Sequence, residues 1–343
     1  TIIGDGQSTT NITVDGNFRH FTVPGTAAAN LTLENLTLTG REPASGGGVS
    51  MDSSNSHLVM NNCTMQNCHY SYSGGGVYAY SATLTGCTIT GNSAGYDGGG
   101  VYADGTATLT DCTITGNSAG TYGSGGGVYV AGTATLTGCT ITGNSAGTYG
   151  SGGGVWAAGT ATLTDCAITG NSADLWGGGV AADTATLTGC TIIGNSAEYG
   201  GGVGTGNATL INCILTGNSA DNDGGGVFGN TATLINCTLT GNSADHEGGG
   251  VYAYPATLTG CTITGNSAGS GGGVRASTAT LINCILTGNS ADSRGGGVDV
   301  STATLINCTF TGNSADNNGG GVRADTATLT GCTITGNSAG TYG

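Results

Sequence analysis

The sequence predicts an all-β protein, a right-handed parallel β-helix of about fourteen coils with three strands per coil, spanning 1–343 as a single solenoid domain. Three observations predict it. A cysteine recurs at 63, 87, 112, 139, 166, 190, 213, 237, 261, 284, 308 and 332, in steps that are mostly 24 residues. Around it runs one repeated line, Thr-Ala-Thr-Leu-Thr-Gly-Cys-Thr-Ile-Thr-Gly-Asn-Ser-Ala, followed by a variable stretch and Gly-Gly-Gly-Val. Within that line apolar and polar residues alternate with period two, the pattern of a half-buried strand. Length alone suggests two domains. A fixed period overrides that reading, because a repeat array is one elongated body at any length.

The elements follow in order. In residues 74–97, Val77 and Ala79 face one way and Tyr78 the other. Ala82 and Leu84 point inward, with Thr83 and Thr85 outward. Cys87 and Ile89 point inward, with Thr88 and Thr90 outward. Gly86 and the pair Gly91-Asn92 mark corners. Glycine and threonine at this density oppose helix. Length varies only beside Gly-Gly-Gly-Val, which places the variable turns there. Residues 1–62 read as degenerate coils and 63–343 as regular ones. Leu31 to Gly40 align with Ala82 to Gly91, so Leu36 takes the cysteine slot. One turn earlier, Ile12 and Val14 are placed at the positions of Leu36 and Leu38. At ~4.8 Å per coil the body is expected to be roughly 65 Å long.

Composition narrows the function. There are 71 glycines, 7% charged residues, no lysine, and five cations, Arg19, Arg41, Arg275, Arg294 and Arg323, in a net charge of −15. Such a surface repels nucleic acid and anionic lipid, whose recognition needs Lys and Arg. No run of 18 apolar residues predicts a membrane span. Glycine this high with only three prolines is not collagen. These residues hold no signal peptide, so secretion implies a leader already removed.

The Gly-Gly-Gly-Val and Ile-x-x-Asn pair resembles the GGA[ILV] and FxxN repeats of chlamydial-type polymorphic outer-membrane proteins. Phe310-Thr311-Gly312-Asn313 has the FxxN form literally; Ile89-Thr90-Gly91-Asn92 and Leu239-Thr240-Gly241-Asn242 are variants. The resemblance runs from about residue 31 to the end. It implies a β-helix at the cell surface or outside the cell, among relatives that are mostly adhesins or uncharacterised surface proteins.

Four ladders are candidate functional features. Cys87, Cys112, Cys139, Cys166, Cys190, Cys213, Cys237, Cys261, Cys284, Cys308 and Cys332 share one inward slot and read as small buried hydrophobes. A column spaced at ~4.8 Å suits neither disulfides nor a tetrahedral zinc site. Cys68 is placed where other coils carry Ser93 or Ser118, and a local Cys63–Cys68 bridge is left open. Asn67, Asn92, Asn117, Asn144, Asn171 and so on to Asn337 form a corner ladder, each amide bonding its own backbone and its neighbour. Outward threonines at 83, 108, 135, 162, 186, 209, 233, 257, 280, 304 and 328 form a column of the kind ice-binding solenoids use, and equally what strand preference alone gives. Ile211, Ile235, Ile282 and Ile306 interrupt outward threonine positions. The slot after Gly-Gly-Gly-Val carries an aromatic stripe, Tyr78, Tyr102, Tyr129 and Trp156, then Phe228 and Tyr252. Ala181 and Gly204 stand between, and Arg275, Asp299 and Arg323 follow. A stripe not needed for the core reads either as sheet stabilisation or as a contact surface. Tyr96, Tyr122, Tyr149, Trp176 and Tyr199 enrich the adjacent turn.

Catalysis is not expected. No strand column carries paired carboxylates, and His20, His57, His69 and His246 have no recurring acid or nucleophile beside them. No cofactor or metal is expected. Acidic turn residues such as Asp97, Asp174, Glu198, Asp223 and Glu247 read as solvated charge, with calcium the alternative. The expected function is a non-enzymatic extracellular structural or adhesive surface protein. The alternatives are a carbohydrate-binding surface, an ice-binding solenoid and a polysaccharide lyase or hydrolase. The expected partner is the protein itself, with surface polysaccharide second. Thr1-Ile2-Ile3 reads as strand, and the sequence stops in mid-coil at Thr341-Tyr342-Gly343. Both features suggest end-to-end stacking or a fragment of a longer solenoid.

Overall fold

The computed structural model describes residues 1–6, 10–13, 18–24, 28–40 and 48–340. Val14, Arg41 and the terminal Thr341-Tyr342-Gly343 lie outside them. The described chain is β-strand and turn with no helix. Its packing falls into two units, residues 1–175 with 179–183 and residues 176–178 with 184–343.

Both units are built alike. A long ribbon carries the Gly-Gly-Gly-Val segment and the Thr-Ala-Thr-Leu segment. A short ladder carries the Thr-Ile-Thr segment, and a third, shorter one carries Ser-Ala. In the first unit the short ladder runs through seven strands, from Asn11–Thr13 and Thr37–Thr39 to Thr140–Thr142 and Ala167–Thr169. The second unit has seven more, from Thr191–Ile193 to Thr333–Thr335. These delimit about thirteen turns of about 24 residues. Coils pair parallel and in register, Thr88, Ile89 and Thr90 against Thr113, Ile114 and Thr115 for example.

The alternation in the sequence becomes the core. Val77, Ala79, Leu84 and Ile89 have no exposed surface, and Ala82 and Cys87 almost none. The division into strands differs from the sequence reading. The first two predicted segments fuse into one bent strand in most coils, as in Val77–Thr85 and Val155–Thr164. They stay separate in Val128–Val130 and Thr133–Thr137. No left-handed residue breaks the chain between them, so ladder bonds continue round the bend. The third strand is instead the Ser-Ala pair, Ser93–Ala94 and Ser243–Ala244 for example. That pair reads as a corner in the sequence because it is only two residues long.

The glycine triplet is dictated by the coil above. Gly125 is left-handed at φ 66°. A Cβ on Gly126 would collide with the backbone of Ser145, and one on Gly127 would press the Asn144 side chain. Three successive side-chain-free positions let the next coil close on the backbone itself.

Two phase assignments are corrected. Ile12 pairs with Leu38, not Leu36. It therefore occupies the isoleucine slot of later coils, and the cysteine slot in that coil falls at Thr10, whose carbonyl accepts from Thr37 N–H as the Cys63 carbonyl does from Thr88 N–H. Ser93 pairs with His69, so Cys68 stands in the slot of Asn92 and not of Ser93. Asn67 consequently is no member of the buried ladder. It holds the left-handed corner that Gly91 fills one coil later, at φ 52° against 61°. Asparagine tolerates that region better than other side chains, which is how the phase slips by one residue.

Candidate functional site

The residue after the Gly-Gly-Gly-Val valine points outward, and in-register pairing sets Tyr78, Tyr102, Tyr129 and Trp156 directly above one another. Their rings stack at centroid distances of 4.9, 4.8 and 4.4 Å, within 14° of parallel. Each ring covers its neighbour's face, so all four are half-buried and present edges to solvent. Asp104, in the one-residue insertion of its coil, accepts hydrogen bonds from both the Tyr78 and Tyr102 hydroxyls, at 3.1 and 2.8 Å. Burial, with the Asp104 charge beside it, pushes the Tyr78 phenol up to about 12. Burial raises Tyr129 to about 12 and Tyr102 further still.

Below Tyr78 the column stops. The in-register residue is Ser50, with no ring. The space is a cleft of about 310 Å³ lined by Ser50, Asp52, Tyr70, Tyr72, Tyr78 and Tyr102. The Ser50 hydroxyl donates to Asp52 at 2.5 Å. Tyr70 is fixed by the Arg19 guanidinium, 3.8 Å above its ring. Arg19 also donates to the Gly74 carbonyl at 2.6 Å. Burial lowers the Arg19 pKa to about 10.

The second unit carries Phe228 and Tyr252, stacked at 5.2 Å. Here the expectation of an exposed stripe is corrected, because Tyr252 is only 7% exposed. Phe228 covers one side, and the Tyr254 ring meets it edge-on with the two hydroxyls in contact. Gly204 leaves a gap that the turn residues Trp176 and Tyr199 fill, both reaching Phe228 at 5.4 and 5.3 Å. Beyond Tyr252 the same slot becomes ionic. Asp299, with 1% of its side chain exposed, has Arg275, Arg323 and Arg294 at 3.5, 3.6 and 4.0 Å. Burial raises its carboxyl pKa, and the three arginines oppose that rise. Sequence reading saw these residues only as an end to the stripe; the three arginines in a chain almost without cations were the signal for a charge cluster.

The asparagine and cysteine ladders are internal. Asn92 Nδ2 donates to Asn117 Oδ1 and to the Met65 carbonyl, each at 3.0 Å, and Asn117 Oδ1 also accepts from Asn92 N–H. Asn117 repeats the pattern onto Asn144, and Asn144 onto Asn171. All thirteen cysteines are free thiols, Cys63 and Cys68 included. The column from Cys87 through Cys112, Cys139 and Cys166, and from Cys190 through Cys213, Cys237, Cys261 and Cys284 to Cys308, is buried; Cys332 is half-exposed. These residues are more than small hydrophobes. Cys87 Sγ lies 3.3 Å from the Met60 carbonyl one coil back, and Cys112, Cys139 and Cys213 repeat the contact on Leu84, Leu109 and Leu187. The thiol is a weak donor to a carbonyl that already serves the backbone. Burial pushes the Cys68 thiol up to about 11. The outward threonine column is mostly half-buried, and Ile193, Ile214 and Ile285 stand exposed on the neighbouring ladder. His57 and His69 bond Ser81 and Ser93 at 2.7 Å rather than a carboxylate. Among the described residues no group of three His, Cys, Asp or Glu could hold a metal ion, and no helix is long and apolar enough to cross a membrane.

The sequence matches the right handed beta helix region over residues 2–173 and 80–243, overlapping stretches that together reach from 2 to 243. The chain belongs to the right-handed β-helix family. Two coils of this β-helix, residues 236–254 and 307–325, also match the Chlamydia polymorphic membrane protein repeat. No curated protein matches. Among solved structures, the Dettilon tailspike protein is 14% identical with a TM-score of 0.31, over 94% of this chain and 61% of its own. The β-helix thus spans less than two thirds of that structure's length.

Proposed function

We propose that this β-helix is a non-enzymatic surface protein that adheres to polysaccharide through its outward aromatic column. The observation that carries the reading is the Tyr78–Tyr102–Tyr129–Trp156 stack. Four rings held rigid within 14° of parallel lose little entropy on binding, and their edges form an apolar strip with hydroxyls along it. The polymorphic membrane protein repeats in two coils support a surface location. Asp104 accepts from the Tyr78 and Tyr102 hydroxyls and Asp52 from Ser50; carboxylates so engaged support binding without turnover. Glycan-array binding by the intact protein is expected, with a loss of tenfold or more in Tyr102→Ala and Trp156→Ala and no hydrolysis or elimination product. Retained binding in both variants overturns the reading. Electron microscopy of the same material separates single rods from self-associated fibres, the partner expected from sequence.

A further inference from the structure

We infer that the cleft below Tyr78 is a terminal subsite for one neutral pyranose ring, seated where the next ring of the column would lie. This rests on the adhesive reading and goes further, to a single site and a ligand class. The stack repeats at 4.8–4.9 Å between tyrosines, and Ser50 occupies the next register position without a ring. The lower face of Tyr78 therefore fronts a cleft of about 310 Å³ rather than an aromatic neighbour. That volume lies at the lower end of small-molecule pockets.

The walls fit a flat ring with an apolar face and a polar rim. Tyr78 offers its face, while Tyr70 and Tyr72 close the side, their rings 5.7 Å apart and tilted by 52°. Asp52 and the Ser50 oxygen, whose proton is given to Asp52, supply acceptors at the base. Arg19 immobilises Tyr70, so that wall is set before any ligand arrives. Asp104 ties the Tyr78 hydroxyl and so fixes the ring that would be stacked upon. An exposed carboxylate in an acidic chain favours hydroxyl donors over carboxylated or sulfated sugars.

The test uses methyl β-glucopyranoside, methyl β-galactopyranoside and methyl α-mannopyranoside, followed by NMR saturation transfer and shift titration on the whole chain. Ser50→Tyr supplies the missing ring and plugs the cleft while lengthening the stack. Tyr72→Ala removes one wall without touching the stack. Ile285→Thr changes an exposed ladder residue of the second unit that has no part in the stack or the cleft. At least one pyranoside is expected to bind, at least tenfold more weakly to Ser50→Tyr and to Tyr72→Ala, and within twofold of the parent to Ile285→Thr. Circular dichroism confirms that each variant keeps its strands. Failure of all three pyranosides, or equal binding to Ser50→Tyr, overturns the subsite. If polysaccharide still binds in a Tyr102- and Trp156-dependent way, the subsite alone is wrong and the adhesive reading stands.

Discussion

A buried asparagine is stable only when its amide is fully used, and this protein stacks them coil after coil. Asn144 Oδ1 accepts from both Asn117 N–H and Asn117 Nδ2, while its own Nδ2 serves the Ile114 carbonyl and Asn171. Asn144→Ala therefore removes four hydrogen bonds, to two donors and two acceptors, in a dry site, at a cost of about 3 kcal/mol or more in urea unfolding. Cys139→Ala removes one sulfur from the core and is expected to cost about 1–2 kcal/mol. Reversal of that order would show that the thiol column carries more of the fold than the amide column. The tyrosines give a pH signature. Tyr78 and Tyr129 ionise at about 12 in the folded state against an ordinary 10. Their contribution is thus complete below pH 10 and lost as the pH climbs through 12, since the raised folded value means the fold prefers the neutral phenol. The phenolate absorbance should show a late-titrating class that shrinks in Tyr78→Phe, with the melting temperature falling across the same window. Cysteine burial was legible from the sequence because the period-two pattern fixes which side chains face inward. The thiol-to-carbonyl contacts were not, since they cross 26 to 30 positions and depend on coil height.

The coil as an element is set by its corners. Gly143 is left-handed at φ 61° with open space where a Cβ would project, whereas Gly126 faces the Ser145 backbone. Gly143→Ala should cost about 1 kcal/mol, the strain of that conformation alone. Gly143→Asn should cost less, since Asn67 already occupies the equivalent corner. Gly126→Ala should prevent the coil from closing, and calorimetry of the three variants separates conformational strain from collision. The same corner explains where sequence reading lost its phase. Gly-Asn-Ser marks the phase in the later coils; Asn67-Cys68-His69 departs from it by one residue, and the coil of Ile12, where no cysteine marks the slot, by two. Which side chains face inward was legible from alternation; the two-residue Ser-Ala strand was not. The fused ribbon was not, because alternation slips by one residue between Ala79 and Ala82 and so reads as a break between two strands, although no left-handed residue interrupts the backbone there.

At the scale of the whole molecule, stability is a sum of neighbour contacts rather than the product of one centre. Within the second unit, excising residues 238–261 joins Cys237 to Thr262 in phase and removes one coil. The shortened protein should retain its strand signal and unfold at a modestly lower temperature; complete loss of structure would show that the coils do not act as interchangeable layers. The amide column also bears on how the protein ages. Every asparagine in it is followed by serine, a pairing in which the next backbone nitrogen readily attacks the side-chain amide and expels ammonia. Here Ser118 N–H is held by the Asn92 carbonyl and Ser145 N–H by the Asn117 carbonyl, both at 2.9 Å, while the amides are pinned from both sides. The groups that would react are immobilised by the contacts that hold the coils together. Chemical lifetime is thereby tied to folding, and a coil that frays would begin to deamidate before its neighbours.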